Sequence, residues 1–154
     1  TLRMMPSPLS RSELRAWSRL AGGSRAMFNA LDRQLRDESG MSHDDYQILS
    51  RLHRDPARAL RMSELAADVG FSPSRLSHAV RRMEDEGWIE RSPSEIDRRG
   101  TEATLTDLGV KVVEEASPAH LALVKRLTFD VIGPGRMTAL AEAMDEIGRN
   151  ARGR

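Results

Sequence analysis

Between Ser63 and Ser92 the apolar residues mark two successive helices and then change to the period of a strand, and this constrains the fold more than any other feature of the chain. Leu65, Ala66 and Val69 share one face of a short helix from about Ser63 to Val69, which Gly70 ends. Phe71-Ser72-Pro73 follows, with a serine hydroxyl to cap the next helix and proline at its favoured first position. Leu76, Ala79, Val80 and Met83 then recur at helical spacing for about fourteen residues until Gly87. From there the pattern shortens to that of strands. Trp88 to Ser92 and Glu102 to Thr106 read as a hairpin around the polar stretch Pro93 to Gly100. The expected class is therefore mainly α: a winged helix-turn-helix, in which a three-helix core carries a two-stranded β wing.

The flanks are helical. Ser10 or Ser12 can cap a helix carrying Leu14, Trp17, Leu20, Ala21, Met27, Phe28, Leu31 and Leu35, and Gly22-Gly23 in its middle predicts either a bend or a close neighbour. Ser42 with Asp45 makes an approximate capping box for a second helix through Tyr46, Ile48, Leu49 and Leu52. After the hairpin, Thr106 caps a long helix that is expected to be interrupted near Ser117-Pro118 and broken by Gly133-Pro134-Gly135. Met137, Leu140, Ala141, Met144 and Ile147 mark a last helix. Three long amphipathic helices from opposite ends of a 154-residue chain need a surface to cover their stripes. They are expected to pack together and against the same helices of a second copy. This divides the chain into a dimerisation region, 1–36 with 107–154, and a winged helix-turn-helix region, 37–106.

Composition restricts the function classes. With 24 Lys+Arg against 23 Asp+Glu the formal net charge is +1, so the total charge does not point to a polyanion; only the placement of charges can. The cations are arginine apart from Lys111 and Lys125, a bias that suits forked contacts to phosphate and guanine but that genome base composition also produces. There is no cysteine, which removes disulfides, thiolate nucleophiles and cysteine-zinc sites and fits a cytoplasmic protein. No apolar run has the length of a membrane span, and the first residues lack the apolar stretch of a signal peptide.

On the helix from Ser72, the residues Ser74, Arg75, Ser77, His78, Arg81 and Arg82 project away from the apolar stripe, and the acids Glu84, Asp85 and Glu86 are confined to its last turn. A helix docked by its first turns in the DNA major groove needs this asymmetry, because its caps and positive dipole end face phosphates. A solvated helix face would look similar. The hairpin tip adds Asp97, Arg98 and Arg99, arginines presented as a narrow minor groove attracts them, or a turn that only keeps the hairpin soluble. From Met62 to Thr106 there are six Arg and nine acids, so DNA binding requires the arginines to converge on one surface and the acids to face elsewhere.

Arg61-Met62-Ser63-Glu64-Leu65-Ala66, Phe71-Ser72-Pro73-Ser74-Arg75-Leu76-Ser77, Met83 to Arg91, Asp97-Arg98-Arg99 and Leu105-Thr106-Asp107-Leu108-Gly109 together resemble the successive motifs of MarR-family transcriptional regulators. The resemblance extends over essentially the whole chain. It implies an obligate homodimer of triangular outline on a palindromic operator in double-stranded DNA, acting as a repressor relieved by a ligand. It makes Ser72 to Arg82 the recognition helix and Arg99 the wing-tip arginine, with Asp97 as its orienting partner. His78 stands where the family often has arginine.

The resemblance also implies a small aromatic or lipophilic effector, bound between the dimerisation helices and the winged helix. Trp17, Leu20, Met27 and Tyr46 are candidates to line its cavity, with Arg15 or Ser24 supplying polarity; core packing explains the same residues. His43, His53, His78 and His120 do not fall at metal-ligand spacing, and His120 is expected at an interface or on the surface. No catalytic motif, phosphate loop or dinucleotide fingerprint is present, so neither an enzyme nor a cofactor is expected. The alternative from another class is a winged-helix protein-interaction module whose arginines meet acidic protein surfaces.

Overall fold

The computed structural model describes residues 8–93, 100–151 and 153. The chain runs α1 (Arg11–Ser39), α2 (His43–Arg54), β1 (Ala59–Arg61), α3 (Met62–Val69), α4 (Pro73–Asp85), β2 (Ile89–Pro93), β3 (Thr101–Leu105), α5 (Asp107–Leu127), α6 (Phe129–Ile132) and α7 (Pro134–Ala151). The caps sit where short polar side chains precede apolar periodicity. Ser10 accepts from Glu13 N and Ser42 from Asp45 N, and both capping boxes close. Ser72 accepts from Arg75 N with Pro73 opening α4, and Thr106 accepts from Gly109 N.

One core organises the winged helix. Leu49 and Leu52 of α2, Leu65 of α3, Leu76, Val80 and Met83 of α4, Ile89 of β2 and Leu105 of β3 are all buried, and α5 adds Val113. Leu35 and Met41 close it from the end of α1. The wing hairpin β2–β3 is antiparallel, pairing Ile89 with Leu105 and Pro93 with Thr101. A third strand joins it: β1 pairs antiparallel with β3, giving the order β1-β3-β2 instead of a two-stranded wing. Three residues are too few to show a period, so β1 had no signature of its own.

Two expected interruptions take a different form. α5 continues through Pro118; Pro118 and Glu114, whose carbonyl loses its donor there, are both exposed residues. Ser117 Oγ donates to Val113 O at 2.6 Å in the same turn. α1 likewise runs unbroken through Gly22 and Gly23, where an added Cβ would meet nothing within 4 Å. Gly109 is the reverse case: a Cβ there would lie 2.2 Å from Trp88 O and 2.7 Å from Leu105 Cδ1, so only glycine lets α5 start this close to the wing.

His120, expected at an interface or the surface, is instead buried at 2% exposure between α1 and α2. Its ring packs at a tilt of 51° against Tyr46, 4.2 Å between ring centroids, and its Nδ1 lies 3.1 Å from Gln34 Oε1. The apolar stripes of the terminal helices remain open in the single chain. Leu14 and Trp17 on α1, Leu121 on α5, Val131 on α6 and Leu140, Met144 and Ile147 on α7 are all exposed. Among the described residues, no helix is long and apolar enough to cross a membrane.

Candidate nucleic-acid interface

α4 presents four distinct sides. Leu76, Ala79, Val80 and Met83 fix the inward one. At 3.6 residues per turn, Ser74, Ser77, His78 and Arg81 fall on the side away from the core, and all four are exposed. No acid lies in the first turn of α4, and Ser72 and Ser74 stand at its N-terminus with their hydroxyls 3.3 Å apart. The chemistry is that of a donor-rich, positively polarised helix end, which suits anions and the acceptor-rich edges of bases.

Arg75 and Arg82 occupy the flank that faces α2, and both are engaged within the chain. Arg75 donates from Nε and Nη2 to the Asp44 carboxylate at 2.7 to 3.1 Å, and its guanidinium lies 4.0 Å above the centre of the Phe71 ring. Arg82 Nη2 donates to Asp45 Oδ1. Asp45 is buried, and its other oxygen accepts from Ser42 N at 2.9 Å and Ser42 Oγ at 2.6 Å, so the buried charge is fully hydrogen-bonded. On the opposite flank, Glu84 receives Arg91 of β2 at 2.5 Å, and this bond holds its carboxyl below the ordinary carboxylate range.

Between α4 and the wing lies a cleft of about 470 Å³, lined by Arg61, Ser63, Pro73, Ser77, Arg91 and Thr101. Arg61 and Arg91 were not singled out from sequence: Arg61 ends β1 directly before α3 and Arg91 lies in the middle of β2, and nothing in the pattern marks either position. Asp97, Arg98 and Arg99, the expected wing-tip residues, lie outside the described residues. Of the five arginines expected to converge, Arg81 is exposed on the outward side, Arg75 and Arg82 are turned toward α2, and Arg98 and Arg99 lie outside the described residues; Arg61 and Arg91 line the cleft, with Arg91 paired to Glu84. The acids Glu64 and Asp68 sit on α3, where Asp68 pairs with Arg51 at 2.7 Å.

The expected effector residues separate. Two cavities flank the His43 ring. One of about 240 Å³ lies beside Tyr46 and His120, and one of about 380 Å³ is bounded by Phe28, His43, Phe71 and Arg75. Tyr46 takes part; Arg15, Trp17, Leu20, Ser24 and Met27 do not, because that stretch of α1 runs clear of the winged-helix core and leaves Arg15 and Trp17 exposed and the other three half-buried. Both ring nitrogens of His43 are buried without a hydrogen-bond partner among the described residues, and burial lowers its pKa. Among the described residues no three His, Cys, Asp or Glu side chains gather as metal ligands would.

Comparison with known proteins is consistent with this geometry. Residues 41–101 match the MarR family. The chain is 36% identical to Sco3205 of Streptomyces coelicolor, a MarR family transcriptional regulator solved in complex with DNA, over 96% of this chain and 92% of that one, with a TM-score of 0.90. AbsC, a MarR family transcriptional regulator of the same organism, is 34% identical over 97% of this chain and all of its own length, with a TM-score of 0.89. Among curated proteins, the HTH-type transcriptional regulator PecS of Dickeya dadantii is 30% identical over 53% of this chain and 49% of its own. The chain spans about half the length of the curated relatives it matches. On the near-complete match to two such regulators, this chain belongs to the MarR family.

Proposed function

We propose that this chain is a DNA-binding transcriptional regulator that acts as a homodimer, placing one α4 helix of each copy in the major groove at each half of a two-fold-symmetric operator. The observation that carries this is the outward side of α4: four exposed polar side chains, a capped N-terminus and no acid in the first turn. The cleft between α4 and the wing would receive a phosphate strand, with Arg61 and Arg91 at its walls, while Arg98 and Arg99 would reach the minor groove and Asp97 would orient Arg99. The second copy covers the exposed apolar side chains of α1, α5, α6 and α7, which are too numerous for a free surface.

Selection from random duplexes with the pure protein tests this. It should enrich a two-fold-symmetric site whose half-sites lie about one helical turn, about 34 Å, apart. Enrichment of nothing would favour the protein-interaction reading of the same exposed arginines.

The regulator acts as a repressor that a small aromatic or lipophilic ligand releases. The cavity of about 380 Å³ supports this: it is of ligand size, has aromatic walls in Phe28, His43 and Phe71, and includes Arg75 of the recognition helix. A ligand there would be sensed by the DNA-facing element itself. A thermal-shift screen of phenolic and lipophilic compounds finds such ligands, and one that binds without changing operator affinity would refute release.

A further inference from the structure

Arg75 and Arg82 are seven residues apart, about two turns of helix, and so emerge from the same side of α4. Adjacent acids on the first turn of α2 meet them. Asp44 takes Arg75 through both Nε and Nη2, with the Phe71 ring closing the far face of the guanidinium. Asp45 takes Arg82 and is itself locked into the α2 capping box by Ser42. One contact would leave α4 free to pivot about it; two contacts, two turns apart, hold its roll about its own axis.

That roll decides what the outward side chains reach. A helix with its side chains is about 5 to 6 Å in radius, so a rotation of about 10° displaces Ser74, Ser77, His78 and Arg81 together by about 1 Å. A displacement of that size degrades hydrogen bonds to base edges at every position at once.

We propose that Asp44 and Asp45 are positioning residues that set the roll of α4, and that discrimination between base pairs rests on Ser74, Ser77, His78 and Arg81 rather than on Arg75 or Arg82. This rests on α4 reading DNA. It narrows the expectation from sequence alone, in which Arg75, Arg81 and Arg82 share the face that docks in the major groove.

The test uses the duplex selected by the unmodified protein and all single base-pair replacements within one half-site. Relative affinities are measured for the parent, Asp44→Asn, Arg75→Gln, the double variant, Arg82→Gln and Arg81→Gln. Arg82→Gln replaces an Asp45 variant because Asp45 also caps α2. A variant that merely folds less well scales all affinities alike and leaves their ratios untouched, so the ratios isolate positioning.

Asp44→Asn, Arg75→Gln and Arg82→Gln should each compress discrimination at every base pair of the half-site, by about threefold. The double variant should be no worse than Arg75→Gln, and the charge reversal Asp44→Arg with Arg75→Asp should restore part of the loss. Arg81→Gln should instead abolish preference at one base pair. Loss of preference at a single base pair in Arg75→Gln or Arg82→Gln, or unchanged ratios in Asp44→Asn, would overturn the proposal. Selection of no duplex by the parent would overturn the DNA reading and this proposal with it.

Discussion

His120 makes the stability of this protein depend on pH in a window that opens above the range in which the carboxylates held low by hydrogen bonds, Glu13, Asp32 and Glu84, contribute. Its ring is buried between α1 and α2, and burial first, then the neighbouring His43, pushes its pKa from 6.5 down to about 4. Above about pH 6.5 the histidine is neutral in both folded and unfolded chains and stability is unaffected. As the pH falls below that value the unfolded chain binds a proton that the folded chain refuses, so stability is lost until the folded group also titrates, near pH 4. One pKa unit is worth about 1.4 kcal/mol, so the loss relative to neutral pH is about 2 kcal/mol at pH 5 and about 3 kcal/mol at pH 4. His43, also lowered by burial, adds to it in the same direction. Urea unfolding at one fixed protein concentration, at pH 7.5, 6 and 5, measures the loss. His120→Phe keeps an aromatic ring against Tyr46 and removes the titration, so it should retain only the part that His43 causes. A parent protein equally stable at pH 7.5 and pH 5, or a variant with the parent's full slope, would refute the reasoning.

Other consequences follow from single positions. Gly109→Ala should destabilise the fold by about 2 to 3 kcal/mol in denaturant, because its Cβ meets the Trp88 carbonyl oxygen at 2.2 Å and the roughly 1 kcal/mol that alanine gains as a helix former cannot offset moving α5 off the wing. Met83→Ala, at a fully buried site between α4 and the wing, should cost about 2 to 5 kcal/mol with the secondary structure retained by circular dichroism. Ile147→Asp with Leu121→Asp places charges on exposed apolar positions of α7 and α5, so sedimentation should show a shift from dimer to monomer while operator affinity falls; an unchanged dimer would move the interface elsewhere.

The local grammar of this chain was legible because its signals are local. Ser42-to-Asp45, Ser72-Pro73 and Thr106 each mark a helix start that hydrogen bonds within three residues complete, and Gly70 and Gly87 both adopt the positive φ that ends a helix. Residues acting across long sequence separations were not legible. Asp45 reads as a cap, yet its second oxygen serves Arg82, 37 residues away, and Asp44 reaches Arg75 across 31. Nothing in the pattern distinguishes those two arginines from Arg81, which differs only in azimuth. β1 is defined by its partner β3, and His120 by the cavity between two helices contributed from the other end of the chain. The role of the effector candidates was not legible for a related reason. An apolar stripe on α1 looks the same whether a core or a second copy covers it, and the stretch from Arg15 to Met27 lies beyond the reach of the winged helix.

The central claim, that the outward side of α4 from two copies enters successive major grooves, is open to one direct measurement. The chain has no cysteine, so His78→Cys provides a unique attachment point for a short photo-crosslinker in the middle of that side. Mapped on the selected duplex, the crosslinks should fall on major-groove base edges at two symmetric positions about one helical turn apart, about 34 Å. Crosslinks at a single position, in the minor groove, or absent while the duplex remains bound would contradict the account.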